Sequence, residues 1–267
     1  MLISQLIDKY VAQGYSVGNS RNLAAEEIII SKIAKSPLAE HVTLKGGIVM
    51  FNLSKSSRRV TQDIDFDLIC YSIEEESIKT FINKLNTVDK DIVVYINGSI
   101  EKLHQEDYRG ARVKIKLKDS RGVSIDAKMD IGVHTYTAIE QQNLVFSFDN
   151  KEGSVSIKAN PCEQLFAEKL LALARLGSLS TRYKDIYDLS YLISHNLIEA
   201  DKVTKILALF FNSSKREPNN MTELVNSVIE TLNDPLFVKE ASNPSSKWLD
   251  ADYQSVANTI ISFINKF

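Results

Sequence analysis

Asp63, Asp65 and Asp67 alternate with Ile64, Phe66 and Leu68 in the run DIDFDLIC, and Asp130 stands in a second alternating run, VSIDAKMDIG. Alternation at period two puts the acids of the first run on one face of a strand and the apolar residues on the other. Strand rise separates Asp63 from Asp65 by about 7 Å, a spacing at which two carboxylates can share one or two hard cations. Magnesium, or manganese in its place, would bridge such a pair to triphosphate oxygens and offset the charge that builds as a hydroxyl displaces pyrophosphate. Asp130, on a strand of its own, would complete the ligand set Asp63, Asp65 and Asp130 and accept the proton of the attacking hydroxyl. Lys128 shares the face of Asp130 and is spaced to reach phosphate. Against this stands a plainer reading: Asp-x-Asp is a common pair, and a row of acids on a strand is usually its solvated side.

Two further features bear on phosphate. Gly46-Gly47 falls between the β-like run VTL and the segment IVMFNL, read as a helix, so backbone N–H groups at the helix start can face an anion with no side chain in the way. An ordinary tight turn explains the same glycines. In CEQLFAEKLLALARLG, Leu165, Phe166, Leu170, Leu173 and Leu176 form an apolar stripe with Lys169 inside it. A lysine there is costly to bury unless its ammonium snorkels out or meets an anion, either a triphosphate or a structural acid such as Asp185. One helix further on, Lys184, Asp188 and Tyr191 share a face opposite Ile186, Leu189 and Ile193, so Lys184 and Asp188 can pair with each other. Arg182, near the start of that helix, is a phosphate candidate, although a solvated arginine is the commoner finding.

These residues need a scaffold. The chain has 267 residues, 44% of them hydrophobic and 25% charged, enough for one large or two small domains. A formal net charge of -2 confines any nucleic-acid contact to a local patch. Two cysteines, Cys70 and Cys162, give no disulfide framework, and no apolar run approaches membrane-spanning length, so a cytoplasmic protein with no membrane partner is expected. Helices are expected near the N-terminus, over Asn22 to Ala34 and over 74 to 87, and strands over 92 to 96, in ARVKIKLKD and in VSIDAKMDIG. The last two form a hairpin about the turn SRG. From Pro161 onward the pattern is helical, with Ser180 or Thr181 capping RYKDIYDLSYLISHN and two or three helices after it. The expected division is a catalytic domain over residues 1–158 and a helical domain over 159–267 that closes the active-site groove. Arg112, Lys114, Lys116 and Lys118 make a basic stripe which, with Arg109, Lys55, Arg58 and Arg59, suits an RNA backbone; charged edge strands carry such residues merely to block aggregation.

Taken in order, LKGGIVMF, RRVTQDIDFD, KMDIG, ANPCEQLFAEKLLAL and TRYKDIYDL resemble the AbiEii/AbiGii-type toxin family of nucleotidyltransferases over about residues 40 to 195. The resemblance implies an α+β, polymerase-β-like nucleotidyltransferase fold with a mixed sheet, followed by an α-helical C-terminal domain. It also implies a toxin of a bacterial toxin–antitoxin or phage-defence operon with a cognate antitoxin, magnesium, an NTP donor, and an RNA acceptor such as a tRNA 3′ end. Residue by residue, Gly46 and Gly47 match the family's phosphate-binding turn, Asp63 and Asp65 its metal ligands, and Lys128 and Asp130 its Lys-x-Asp element. Glu168 and Lys169 fall in its Glu-Lys helix. Arg182, Lys184, Asp185, Tyr187 and Asp188 fall in its final motif, with Lys169 and Asp185 as the catalytic positions and Lys169, Arg182 and Lys184 on the nucleotide. Ile48 departs from the small hydroxyl residue that many relatives carry after the glycines, which bears on donor affinity or choice.

Two other functions compete. Asp126-Ala-Lys128 after an acidic strand imitates the Asp…Asp-x-Lys arrangement of metal-dependent nucleases, in which Asp126 would hold the metal. A nucleotidyltransferase-fold binding module without turnover is the non-enzymatic alternative, disfavoured by the retention of all three carboxylates.

Overall fold

The computed structural model describes residues 2–105, 108–148, 153–214 and 216–267. Two compact units divide the chain, Met1–Asn160 and Pro161–Phe267. In the first, helices α1 (Ile3–Ala12), α2 (Val17–Ala34), α3 (Gly46–Ser54) and α4 (Glu75–Val88) accompany strands β1 (Val42–Leu44), β2 (Asp63–Leu68), β3 (Ile92–Gln105), β4 (Tyr108–Asp119), β5 (Ser124–Val133), β6 (Gln142–Ser147) and β7 (Ser154–Ala159). The strands form one mixed sheet in the order β3-β4-β5-β2-β1-β7-β6. β2 runs parallel to β5, and β1 runs antiparallel to β2 and parallel to β7.

The alternation of β2 is resolved as its composition requires. Ile64, Phe66 and Leu68 are at most 1% exposed, and Phe66 stacks on Phe81 of α4 at 5.6 Å between ring centroids. Burying one face of β2 in this way turns Asp63 and Asp65 to the other. β1 is short and wholly buried, with Leu44 opposite Phe66. The Lys45 N–H donates to the Asp65 carbonyl (3.1 Å), after which Gly46, at φ +63°, turns the chain into α3. A left-handed φ is cheap only for glycine, so the sequence Leu44-Lys45-Gly46 sets the start of α3 beside Asp65.

β4 and β5 join through the turn at Ser120–Gly122, where the Asp119 carboxylate accepts from the N–H groups of Arg121 (3.0 Å) and Val123 (2.9 Å). β3 is longer than the segment 92–96 read from pattern. Its pairing with β4 shifts register between Ile96 and Ile100, around Gly98 at φ +104°, and that irregularity breaks the period-two signal. β4 is an interior strand, with β3 outside it, so its cations are not an edge device.

The second unit holds helices α5 (Cys162–Leu176), α6 (Tyr183–Ser194), α7 (Ala200–Ser213), α8 (Met221–Asn233), α9 (Pro235–Ala241) and α10 (Tyr253–Ile264). Among the described residues, four helices therefore follow α6, where two or three were expected. The extra one is α9, seven residues long and too short to show a period, begun by Asp234 accepting from the N–H groups of Leu236 and Phe237. Phe166 packs edge-on against Phe263 at 5.2 Å, and the Tyr187 hydroxyl donates to the Ala241 carbonyl (2.9 Å). The residue at the cap position of α6 is Arg182, in place of the expected Ser180 or Thr181. The Ser180 hydroxyl accepts from the Arg182 N–H (3.2 Å) one step before the helix begins. Among the described residues no helix is long and apolar enough to cross a membrane.

Candidate active site

Parallel pairing of β2 with β5 sets Asp65 opposite Asp130 and Asp63 opposite Lys128. Antiparallel pairing of β5 with β4 adds Arg112 opposite Asp130 and Lys114 opposite Lys128. Partners in register project from the same face, so one side of the sheet presents a row Arg112, Asp130, Asp65 and beside it a row Lys114, Lys128, Asp63.

Gly46 lies against this row. A Cβ on it would meet Asp65 Oδ2 at 2.6 Å, and a Cβ on Gly47 would meet Thr61 at 2.8 Å and Arg59 Nη1 at 3.2 Å. Any larger residue at 46 would displace the Asp65 carboxylate, so the absence of a side chain there is what lets Asp65 sit against the first turn of α3.

The carboxylates are turned to cations of the chain. Lys128 Nζ lies 2.8 Å from Asp63, and Arg112 grips Asp130 with both ends of its fork, Nε at 2.9 Å and Nη2 at 2.7 Å. That hydrogen bond is the main reason the Arg112 guanidinium holds its proton more firmly than usual. Arg112, expected in an RNA-facing stripe, gives its guanidinium to Asp130 instead. Lys114 pairs with Glu101 (3.2 Å) and Lys116 with Asp126 (3.8 Å), so acids interleave with the cations of β4. Arg59, grouped with Lys55 and Arg58 as a surface cation, is 5% exposed and faces inward against Gly47.

As a metal site, the face has the right donors: Asp63, Asp65 and Asp130 offer hard carboxylate oxygens, two of them in register. Among the described residues no group of three or more His, Cys, Asp or Glu side chains is already set to hold an ion. The residues thus fit a hard divalent cation in kind and in face, with Lys128 and Arg112 as the counter-charges it would replace. Asp126, the nuclease candidate, lies beyond the β2 pairing. It pairs across to β4 and accepts from Asn97 (3.2 Å).

The second unit brings together the other predicted group. Lys169 Nζ of α5 lies 2.5 Å from Asp185 and 2.8 Å from Asp188, both on α6. Asp188 is wholly buried, which corrects its placement on a polar face with Lys184: it lies one helical turn from Asp185, on the side turned to Lys169. Arg182 is exposed, with Nη1 3.7 Å from Asp185 Oδ2. Arg182, Lys184 and Asp185, together with Ser245 and Ser246, line an open pocket of about 380 Å³. The pairing of Arg112 with Asp130 lies outside the sequence expectations, although counting outward from the SRG turn finds it. So does the burial of Glu26 on α2, for which no sequence signal stands out.

An acidic strand beside a glycine turn, on a seven-stranded mixed sheet followed by a helical unit, is the arrangement expected of a nucleotidyltransferase fold. The family model described as Nucleotidyl transferase AbiEii toxin, Type IV TA system, matches residues 28–266, and the chain belongs to that family. Membership makes it a nucleotidyltransferase toxin of a toxin–antitoxin system, with a nucleotide substrate and a cognate antitoxin. No curated protein matches the chain.

Proposed function

We propose that the protein transfers a nucleoside monophosphate from an NTP to an RNA acceptor, a tRNA 3′ end first among the candidates, as a cytoplasmic phage-defence toxin. The observation that carries this reading is Gly46 seated against Asp65, with Asp130 in register beside it. That juxtaposition offers backbone N–H groups for phosphate next to carboxylates for a cation and a proton. Magnesium held by Asp63, Asp65 and Asp130 would supply the positive charge that offsets the triphosphate and the departing pyrophosphate. The acceptor hydroxyl attacks the α-phosphate in line as the bond to the β,γ-pyrophosphate breaks, and Asp130 takes the hydroxyl proton. Lys128, released from Asp63, and the first N–H groups of α3 hold phosphate oxygens. Lys169 and Asp185 are the further catalytic candidates, with Arg182 and Lys184 on the nucleotide.

The test is to incubate the protein and its Asp65→Ala variant with magnesium, each α-labelled NTP in turn, and total cellular RNA. Label on RNA that disappears with the variant supports transfer and identifies the donor. Shortened, unlabelled RNA that depends on Asp126 would replace this reading with the nuclease, and NTP binding without any product would leave a non-catalytic module.

A further inference from the structure

Glu26 on α2 and Arg59 in the turn before β2 are each 5% exposed. Ionisable groups are buried at such depth only at a cost, unless opposite charges face one another. Burial first, and the charge of Asp65 second, push the Glu26 carboxyl well above the usual range, while Arg59 acts in the opposite sense. Glu26 is thus within electrostatic reach of both. Its Oε1 is buried with no hydrogen-bond partner. A side chain on Gly47 would collide with Thr61 at 2.8 Å and press on the Arg59 guanidinium, whose Nη1 would lie 3.2 Å from its Cβ. Glu26 precedes the span 28–266 that the family model matches.

We infer that Arg59 is a positioning residue for the glycine turn, packed against Gly47 on the side where the buried Glu26 carboxyl lies within electrostatic reach, and that Arg59 governs affinity for the NTP donor. The kinetic part of this inference rests on the transferase reading above; the structural part does not. Gly46 and Gly47 have no side chains with which to hold their own backbone in place, so the first turn of α3 depends on what is packed against it. Arg59 and Thr61 occupy that space. A guanidinium so placed supports the N–H groups that meet phosphate and makes no contact with the acceptor. Its loss therefore falls on donor binding in ground and transition state alike.

The full-length chain is compared with Arg59→Met, Arg59→Lys and Glu26→Gln, each first checked for cooperative unfolding. Hydrogen exchange is read on peptides covering residues 44–52, and transfer kinetics are measured with donor and acceptor varied separately. For Arg59→Met, exchange of the first α3 amides rises about tenfold and donor KM rises about tenfold, with kcat within about threefold and acceptor KM unchanged. Arg59→Lys recovers part of both effects, and Glu26→Gln, which keeps the size of the side chain without its charge, shifts both by less than about twofold. Unchanged exchange over 44–52 overturns the inference, as does a fall in kcat at constant donor KM. Should Arg59→Met fail to fold, Arg59→Lys decides by the same two readouts. A wild-type protein that labels nothing refutes the transferase reading alone, because the exchange measurement still tests the turn.

Discussion

Gly46 concentrates the chemistry of the site in one backbone position. Its φ of +63° lies in the left-handed region, and a Cβ there would stand 2.6 Å from Asp65 Oδ2 and 3.3 Å from its Cγ. Two costs follow from Gly46→Ala: backbone strain of about 1–2 kcal/mol and displacement of a carboxylate placed to hold a cation. The strain is shared by Gly122→Ala in the β4–β5 turn, at φ +87°, where a Cβ meets nothing within 4 Å. Comparing the two variants separates the costs. Gly46→Ala should lower the midpoint of chemical unfolding by at least as much as Gly122→Ala, and only Gly46→Ala should lower nucleotidyl transfer, by about 10²-fold, as an ångström-scale misplacement of a reacting group can do. Equal activities for the two would show that the contact with Asp65 has no part in transfer.

At the scale of elements, the junction of α5 and α6 is held by Lys169 between Asp185 and Asp188. Asp188 is fully buried, so removing the ammonium leaves an uncompensated charge in the core. Lys169→Met should therefore cost about 3–5 kcal/mol of stability, and Lys169→Met with Asp188→Leu should recover part of it, because apolar replacement of a buried pair is often neutral while Asp185 still loses its ammonium. Transfer assays on the recovered double variant then report on chemistry rather than folding: activity near wild type would remove Lys169 from the catalytic set. This junction also marks how far the elements could be read from the chain. Period-two alternation put Asp63 and Asp65 on one face, because Ile64, Phe66 and Leu68 must be buried together. The helical wheel of α6, by contrast, assigned Asp188 to a polar face, since nothing within that helix reveals the lysine of α5 that meets it. The pairing of Asp65 with Asp130 was illegible for a related reason. It depends on β2 and β5 lying side by side, a non-local choice made by the whole sheet. Arg112 opposite Asp130 was within reach, for the SRG turn sets that register locally.

Across the whole molecule the charge is nearly balanced, -2 over 267 residues, and the balance is local as well as global. Arg112, Lys114 and Lys116 of β4 face Asp130, Glu101 and Asp126. The exposed pairs among these are individually weak and would let go of their partners cheaply, but the acids stay on the same strip of sheet and repel any phosphate brought to it. A stripe that looks cationic in sequence is thus close to neutral as a surface. If Arg112, Lys114, Lys116 and Lys118 all contacted an RNA backbone, the logarithm of the binding constant would fall against the logarithm of salt concentration with a slope of about -3 to -4. The paired arrangement predicts a slope shallower than about -2 for a fluorescent tRNA followed by anisotropy between 50 and 200 mM salt, and a change below about 0.5 on substituting Lys114→Gln and Lys116→Gln together. A steep slope that those two substitutions flatten would return β4 to the acceptor-binding surface. A shallow slope with measurable transfer would mean that the acceptor is recognised chiefly through uncharged contacts.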